Sequence, residues 1–485
     1  MIIATLKQVQ EKYDIVIGIE CHVQLATKTK LFSPADNDAR DAEPNTKVNQ
    51  IDFGFPGVLP VLNERAVELA IRAGIALQAE IPRLSRFERK HYFYPDLPFG
   101  YQITQLAEPV IVGGSVDIKT ESGSRTIRLH HAHMEMDAGK LTHPAGRDYS
   151  LVDLNRAGTP LIEIVSEADM SSPLEAKAYA TALYQLMTFA GVTHGDLYHG
   201  NMRFDVNLSL KEKGAKEFGI RTETKNLNSF RSVERAAEFE AIRQAQILEK
   251  GEKITQETRG WNEDKGATFS QRSKENAHDY RYFPDADLPP VIIEEAQIRH
   301  VRETMPLLPS QFEGDFKELN LQESVLNRLL ADSRYAQFIY DIHRDQGTDV
   351  AARVAAWWTA LPRSAENDTL DVRSIPQNYY VELHELANSG AISANSSELL
   401  FKEMIRAGRA PRQLAEERGL LQSNDEGEIE AIVDAVLADP ASEKALTDIR
   451  GGNDKAIGYL VGQAMKQSKG KANPAMLQQI IRKKL

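Results

Sequence analysis

Residues 14–25 read DIVIGIECHVQL. Ile15, Ile17, Ile19, Cys21, Val23 and Leu25 alternate with Val16, Gly18, Glu20, His22 and Gln24. Successive side chains of a strand point to opposite faces, so this period-two pattern predicts a strand with one wholly apolar face. The other face ends in a carboxylate, an imidazole and an amide. Glu20 and His22 lie on it together, about 6.5 to 7 Å apart along the strand. The stretch therefore poses a chemical question as well as a structural one.

The same design recurs along the chain. "HHAHMEMDAGK" (130–140) sets His133, Glu135 and Asp137 on one face and Met134 and Met136 on the other. "MRFDVNLSL" (202–210) opposes Asp205, Asn207 and Ser209 to Phe204, Val206, Leu208 and Leu210. "GIRTETK" (219–225) puts Arg221, Glu223 and Lys225 on one side, and "LVDLNRAGTPLIEIV" (151–165) carries Asp153, Asn155 and, after its turn, Glu163. A half-solvated antiparallel sheet explains any one of these strands. The wet faces, however, favour acids with His, Asn, Lys and Arg, and they adjoin the Gly or Pro turns "DAGK", "HGNM" and "RAGTP", where backbone approaches a ligand closely. If the acids converge, repulsion between neighbours about 4 Å apart costs several kcal/mol at an intermediate dielectric. A hard divalent cation relieves that cost, and oxygen ligands with one histidine suit magnesium or manganese better than zinc.

Composition bounds the rest. The 485 residues suffice for roughly two to four domains, and the 26% charged fraction is that of a globular protein. A single cysteine excludes a disulfide framework and suits a reducing cytoplasm. "MIIATLKQVQEKYD" is a poor secretion signal, and no apolar run is long enough for a membrane span. The net charge of -12 disfavours non-specific coating of nucleic acid but leaves room for a local basic patch.

Helices are expected after Asn63, after Ser172–Pro173 (ending at Gly191) and over "SFRSVERAAEFEAIRQAQILEKG", stopping near Gly251. Mixed texture gives way to helical texture after "PDADLPPVII", with breaks at "DQGTD", "LPRSAEND" and "SGAISANSS". The expected division is 1–295, 296–405 (all helical) and 406–485 (a small helical tail), making the fold class α+β.

In order along the chain, "IGIECHVQL", "PGVLPVLN", "HYFYPDLPFGYQITQ", "DAGK", "DLNRAGTPLIEIV", "TKNLNSF" and "KENAHDYRYFPDADLPP" resemble the B-subunit family of the tRNA-dependent aspartyl/glutamyl amidotransferases. The stretch Asp153–Glu163 follows the family signature Asp-x-Asn-Arg-x-Gly-x-Pro-Leu-x-Glu. The resemblance covers almost the whole chain. It implies a cradle-shaped N-terminal domain on an antiparallel sheet with flanking helices, then a helical domain and a small helical tail. It also implies a reaction. Mischarged Glu-tRNA(Gln) or Asp-tRNA(Asn) is phosphorylated on its side-chain carboxylate by ATP with magnesium. Ammonia then displaces phosphate; it comes from glutamine hydrolysed in the family's A (glutaminase) partner, with the small C partner bracing the pair.

Carried over by motif, the resemblance assigns Glu20, His22, Glu135 and Glu223 to the metal. It assigns Lys225, Arg203 and Arg156 to ATP phosphates or the acyl phosphate, Asp205 to orienting them, and Asp153, Asn155 and Lys140 to the cofactor. Tyr280, Tyr282 and Phe283 either stack unpaired tRNA bases or pack at a domain junction. Departures from the family pattern are Phe99, Met136 and His199, where Lys, an acid or amide, and Glu are usual. Ser33, Ala35, Asn49 and Asp52 stand where some relatives hold zinc with four cysteines, so no zinc is expected. From Gly452 to the end, Lys455, Lys466, Lys469, Lys471, Arg482, Lys483 and Lys484 face only Asp454, a surplus that suggests a phosphate-facing tail, with Arg406, Arg409 and Arg412 extending it. Two other functions fit parts of this pattern: a non-catalytic tRNA-binding adaptor with a decayed site, and a metal-dependent phosphoesterase acting on RNA.

Overall fold

A computed structural model describes residues 5–121, 123–273, 280–361, 371–422, 426–451, 453–468 and 471–485. Lys469, residues 274–279 of the "KENAHDY" motif and most of the "LPRSAEND" break lie outside them. The chain divides into two compact units, Met1–Pro309 and Ser310–Leu485.

Tyr13–Gln24 (β1) is the middle of the first unit. It pairs antiparallel with Pro160–Ser166 (β3) on one side and Met202–Glu212 (β4) on the other. Beyond β3 lies Gly123–Met136 (β2), and beyond β4 come Thr222–Leu227 (β5), then Glu257–Asn262 and Ala267–Ser273. Every pairing in this sheet is antiparallel except that of β5 with Glu257–Asn262. Ile111–Val112 and Ser115–Thr120 complete it along β2. Alternation is kept along β1 from Ile17 onward: Ile17, Ile19, Cys21 and Val23 are buried in the core, while Gly18, Glu20, His22 and Gln24 are partly open; before it, Ile15 and Val16 are both buried. Cys21 is thus a small core residue.

The helices Glu64–Ala76 (α1), Pro173–Phe189 (α2) and Phe230–Glu249 (α3) contribute to the unit's apolar core. Each begins as the sequence predicts. Asn63 Oδ1 accepts from the Arg65 amide at 3.0 Å, Ser172 Oγ from the Glu175 amide at 3.2 Å, and Ser229 Oγ from the Ser232 amide at 3.0 Å. The helix Glu295–Glu303 packs on α1 and gives Ile298 and Val301 to the same core. That helix belongs to the first unit, which runs to Pro309.

The second unit is helical throughout its described residues. Gly347, with φ 91°, separates Ser333–Gln346 from Thr348–Ala360 at the "DQGTD" break. Ser393 caps Ala394–Ala407 after "SGAIS". Helix Pro411–Glu417 packs on Gln377–Asn388 and Ala394–Ala407. A separate cluster from Ile429 to Ile481 gives the tail its own core. No helix among the described residues is long and apolar enough to cross a membrane.

One buried ion pair anchors the loop beside the sheet's wet face. Lys30 is fully buried and its Nζ lies 3.1 Å from Asp52 Oδ2. Asp52 also accepts from Ser33 Oγ at 2.8 Å and from the Asn49 amide at 2.8 Å. Three of the four positions read against the relatives' zinc cysteines thus form one hydrogen-bonded knot around an amine. Gly158 closes it: with φ 84°, its Cβ would stand 2.8 Å from Asp52 Oδ1. Burial draws the Lys30 pKa down, and Asp52 opposes that shift. Removing one member of such a pair leaves an uncompensated buried charge, at about 3 to 5 kcal/mol. Asp52→Ala is therefore expected to lower the stability of the first unit by that amount in urea unfolding, and Lys30→Met added to it to restore at least half. A single-variant loss below about 1 kcal/mol would refute this role.

Candidate active site

Antiparallel pairing brings the wet faces into rows, because directly opposed residues share a face about 5 Å apart. One row runs His133–Glu163–His22–Arg203 across β2, β3, β1 and β4. Glu20 stands opposite Asp205, and Asn207 opposite Glu223. The expected ligands Glu20, His22, Glu135 and Glu223 therefore share one face. They fall in two sets, His22 and Glu135 with Glu163, and Glu20 and Glu223 with Asp205, the donor atoms of each set lying within 4.8 Å of one another.

In the first set, His22 Nε2 lies 3.5 Å from Glu135 and 3.7 Å from Glu163. His133 Nε2 lies 3.1 Å from Glu163 and 3.7 Å from Glu135. Burial opposes charging of His133, but its hydrogen bonds to Glu135 and Glu163, and their charges, outweigh this and push its pKa up to about 10. Burial alone would raise Glu163, yet His22 and His133 hold it well below the usual carboxylate range.

In the second set, burial raises the Glu20 pKa, reinforced by repulsion from Glu163 and Glu223. Lys225 is the internal counter-charge, with Nζ 2.8 Å from Asp205 and 3.3 Å from Glu223. Burial disfavours its charged form, but those two carboxylates hold its pKa above the ordinary value. Asp205 also accepts from the Asn226 amide at 2.8 Å, where Asn226 takes φ 61° beside a register shift in β4. Asn207 donates to Glu20 at 3.0 Å, while its own Oδ1 is buried with no hydrogen-bond partner.

Asp137 holds both expected arginines: Arg203 at 3.0 Å and Arg156 at 3.1 Å. Arg156 also donates to the carbonyls of Ala138 and Gly139, at 3.1 and 2.9 Å. The expected cofactor residues Lys140, Asp153 and Asn155 line an open pocket of about 350 Å³ together with Arg156, Gln24 and His199. Lys140 is exposed there. Asp153 and Asn155 instead turn their polar atoms on the loop 43–47. Asp153 Oδ1 accepts from the Asn45 amide at 3.1 Å, and Asn155 bonds the Lys47 amide and the Glu43 carbonyl, each at 2.8 Å.

The departures from pattern have distinct surroundings. Met136 is buried in the core, away from the wet face, and lines a small cavity with Phe99. His199 Nδ1 lies 2.7 Å from Asp196. Phe283 extends the small sheet of Glu88–His91 and Tyr101–Thr104 and stacks on His91 at 4.9 Å. Tyr280 sits under the Lys90 ammonium, 4.9 Å from its ring centre, with Tyr282 edge-on beside it at 6.1 Å.

Sequence reasoning placed His133, Asp137, Glu163 and Asn207 on wet faces but gave them no part in the site. Their alternation was the available signal; the pairing register that makes them neighbours was not.

A family model described as "GatB/GatE catalytic domain" matches residues 15–299, and one described as "GatB domain" matches residues 341–485. A relative from Persephonella marina is 43% identical over 480 residues, covering 98% of this chain and 100% of its own. Relatives from Geobacter sp. strain M21 and Caldicellulosiruptor saccharolyticus are 44% and 42% identical, each covering 98% of this chain and 99% of its own. All three are named as the B subunit of an aspartyl/glutamyl-tRNA(Asn/Gln) amidotransferase. Matched from end to end, and with the motif residues of the family gathered on one sheet face, the chain belongs to the B-subunit family of the aspartyl/glutamyl-tRNA amidotransferases.

Proposed function

We propose that this chain is the amidating component of a tRNA-dependent ligase acting in the cytoplasm. It activates the side-chain carboxylate of Glu-tRNA(Gln) or Asp-tRNA(Asn) with ATP and converts it to the amide. Ammonia comes from a glutaminase partner, the A component, and the small C component braces the pair. The observation that carries this reading is the gathering of Lys225, Arg203 and two ligand sets on one face of the sheet.

A carboxylate is a poor acyl donor, so its oxygen first takes the γ-phosphoryl group as ADP departs. Ammonia nitrogen then bonds the acyl carbon while the carbon–oxygen bond to phosphate breaks, and phosphate carries away the proton lost from nitrogen. The protein's work in the first step is positioning and charge neutralisation. Lys225 and Arg203 present cationic groups to the transferring phosphoryl group. Asp137 fixes Arg203 against Arg156, whose own donors are engaged by Ala138 and Gly139. Lys140 faces the nucleotide in the pocket of about 350 Å³, and Asp153 and Asn155 shape that pocket through the loop 43–47.

Glu20, Asp205 and Glu223 suit a hard divalent ion. Their donor set is all oxygen, and the orphaned Asn207 Oδ1 beside them is a further neutral oxygen. Magnesium held there supplies charge neutralisation for phosphate oxygens. In the tail, Lys484 pairs with Asp434 and Glu430, and Arg482 with Asp454, leaving Lys455, Lys466, Lys471 and Lys483 without ion-pair partners among the described residues and open to tRNA phosphates.

The decisive experiment assembles the chain with its glutaminase and small bracing partners and follows Gln-tRNA formed from Glu-tRNA with glutamine, ATP and magnesium. Product is expected, together with ADP formation that requires mischarged tRNA; a well-folded complex yielding neither would overturn the reading. Glu223→Ala is expected to lower turnover by at least about 100-fold with tRNA affinity unchanged. Asp137→Ala, which frees both arginines, is expected to cost about 10- to 100-fold in kcat at unaltered tRNA affinity, and a loss confined to tRNA binding would contradict it.

A further inference from the structure

The pocket of about 350 Å³ contains a group that the phosphoryl step leaves unused. His199 Nδ1 lies 2.7 Å from Asp196 Oδ2, and the His199 amide donates to Asp196 Oδ1 at 3.1 Å. One carboxylate thus grips both the ring and the backbone of the same residue. Burial works against the charge of Asp196, but its bonds from His199 hold its pKa below the ordinary carboxylate value. An ionised carboxylate only accepts, so in the neutral imidazole Nδ1 carries the hydrogen and Nε2 keeps the lone pair. The His199 side chain is 32% exposed and lines the pocket.

The loop is built to hold this pair. Asn201 is buried; its Oδ1 accepts from the Asp196 amide at 3.0 Å, and its own amide donates to the Asp196 carbonyl at 2.9 Å. Asn201 also bonds Gln24 twice, through Nδ2 to Oε1 at 3.0 Å and through its carbonyl to the Gln24 amide at 2.8 Å. Gln24 follows His22 by two residues on the wet face of β1. Gly200, at φ 72°, turns the chain toward β4, and a Cβ there would stand 3.9 Å from Arg203 Cδ. The pair is therefore tied to the strand ends that carry the site, beside Arg203 and in the pocket that Arg156 lines. An imidazole whose far nitrogen is fixed by a carboxylate is the arrangement of an oriented general base. Other groups in the pocket suit that task less. Asp38 is engaged by Arg40 and Asp153 by the Asn45 amide, and His194 has no carboxylate partner among the described residues.

The amidation step needs such a base. Ammonia adding to the acyl carbon gives an adduct with a positively charged nitrogen. While that nitrogen keeps its extra proton it leaves more readily than phosphate, and the adduct reverts unless a base removes the proton. We propose that His199 Nε2 takes this proton and hands it to the departing phosphate, with Asp196 as its positioning residue. The carbon–nitrogen bond stays, the carbon–oxygen bond to phosphate breaks, and amide and hydrogen phosphate leave with His199 neutral again. This inference rests on the amidating function proposed above and names the residue that serves its second step.

The test uses the assembled complex with Glu-tRNA, ATP, magnesium and ammonium chloride, which bypasses glutamine hydrolysis, and measures amide formed per ADP released. In His199→Ala the acyl phosphate forms but is hydrolysed before it is amidated. The ratio is expected to fall about 100-fold, and added imidazole to restore part of it. Asp196→Asn keeps the shape of the side chain but favours the opposite tautomer, and should lower the ratio by at least about 10-fold. Amide and ADP falling together would show a nucleotide-binding role and overturn the proposal, as would an unchanged ratio in either variant. A wild-type complex that makes neither product overturns the amidating function itself; wild-type product with unaltered variants overturns only the role of His199. Should His199→Ala fail to fold, the isosteric Asp196→Asn decides the matter.

Discussion

The backbone pairing of β1 with β3 and β4 is the constraint on which everything else rests. It sets His22 between Glu163 and Arg203, and Glu20 against Asp205. Side chains alternate with period two, so a slip of one residue would carry Glu20 and His22 into the core and bring Ile19, Cys21 and Val23 to the site. Burying unpaired charge in place of those apolar groups costs several kcal/mol per ion. The dry face is thus what makes the register of the wet face unambiguous. The core formed with α1, α2 and α3 defends the chemistry on the opposite side.

That wet face carries more negative charge than a passive sheet tolerates, and the protein balances it in two ways. Around Asp205 and Glu223 the balance is a lysine, buried enough that its ammonium depends on those carboxylates. Around Glu135 and Glu163 it is a pair of imidazoles. The first arrangement presents a strong point charge to phosphate; the second presents nitrogen lone pairs or protons. Asp137 differs again, since it binds two guanidinium groups and so converts acidic surface into a cationic edge. The carboxylates thus acquire three different environments, each set by the cationic or imidazole partner beside it.

Outside the sheet, residues of the family motifs turn out to serve the backbone. Asp153 and Asn155 satisfy amides and a carbonyl of the loop 43–47, more than a hundred residues earlier in the chain. Lys30 and Asp52 form a buried knot that Gly158 alone can cap. A motif residue can therefore shape a pocket without touching its occupant.

Much of this was legible in the residues themselves. The two faces of β1, the caps at Asn63 and Ser172, the helix that begins at Ser229, the break at Gly347 and the order of motifs depend on neighbours a few positions apart, and they read directly from the chain. The division of Glu20, His22, Glu135 and Glu223 between two sets did not, nor did the entry of His133, Glu163 and Asn207. Those depend on which strands lie side by side and in what register. Local propensity is silent on that, because cross-strand neighbours come from segments tens to hundreds of residues apart. Alternation decided which side chains face the site; only long-range hydrogen bonding between strands, held in register by the packed core beneath, decided which of them meet.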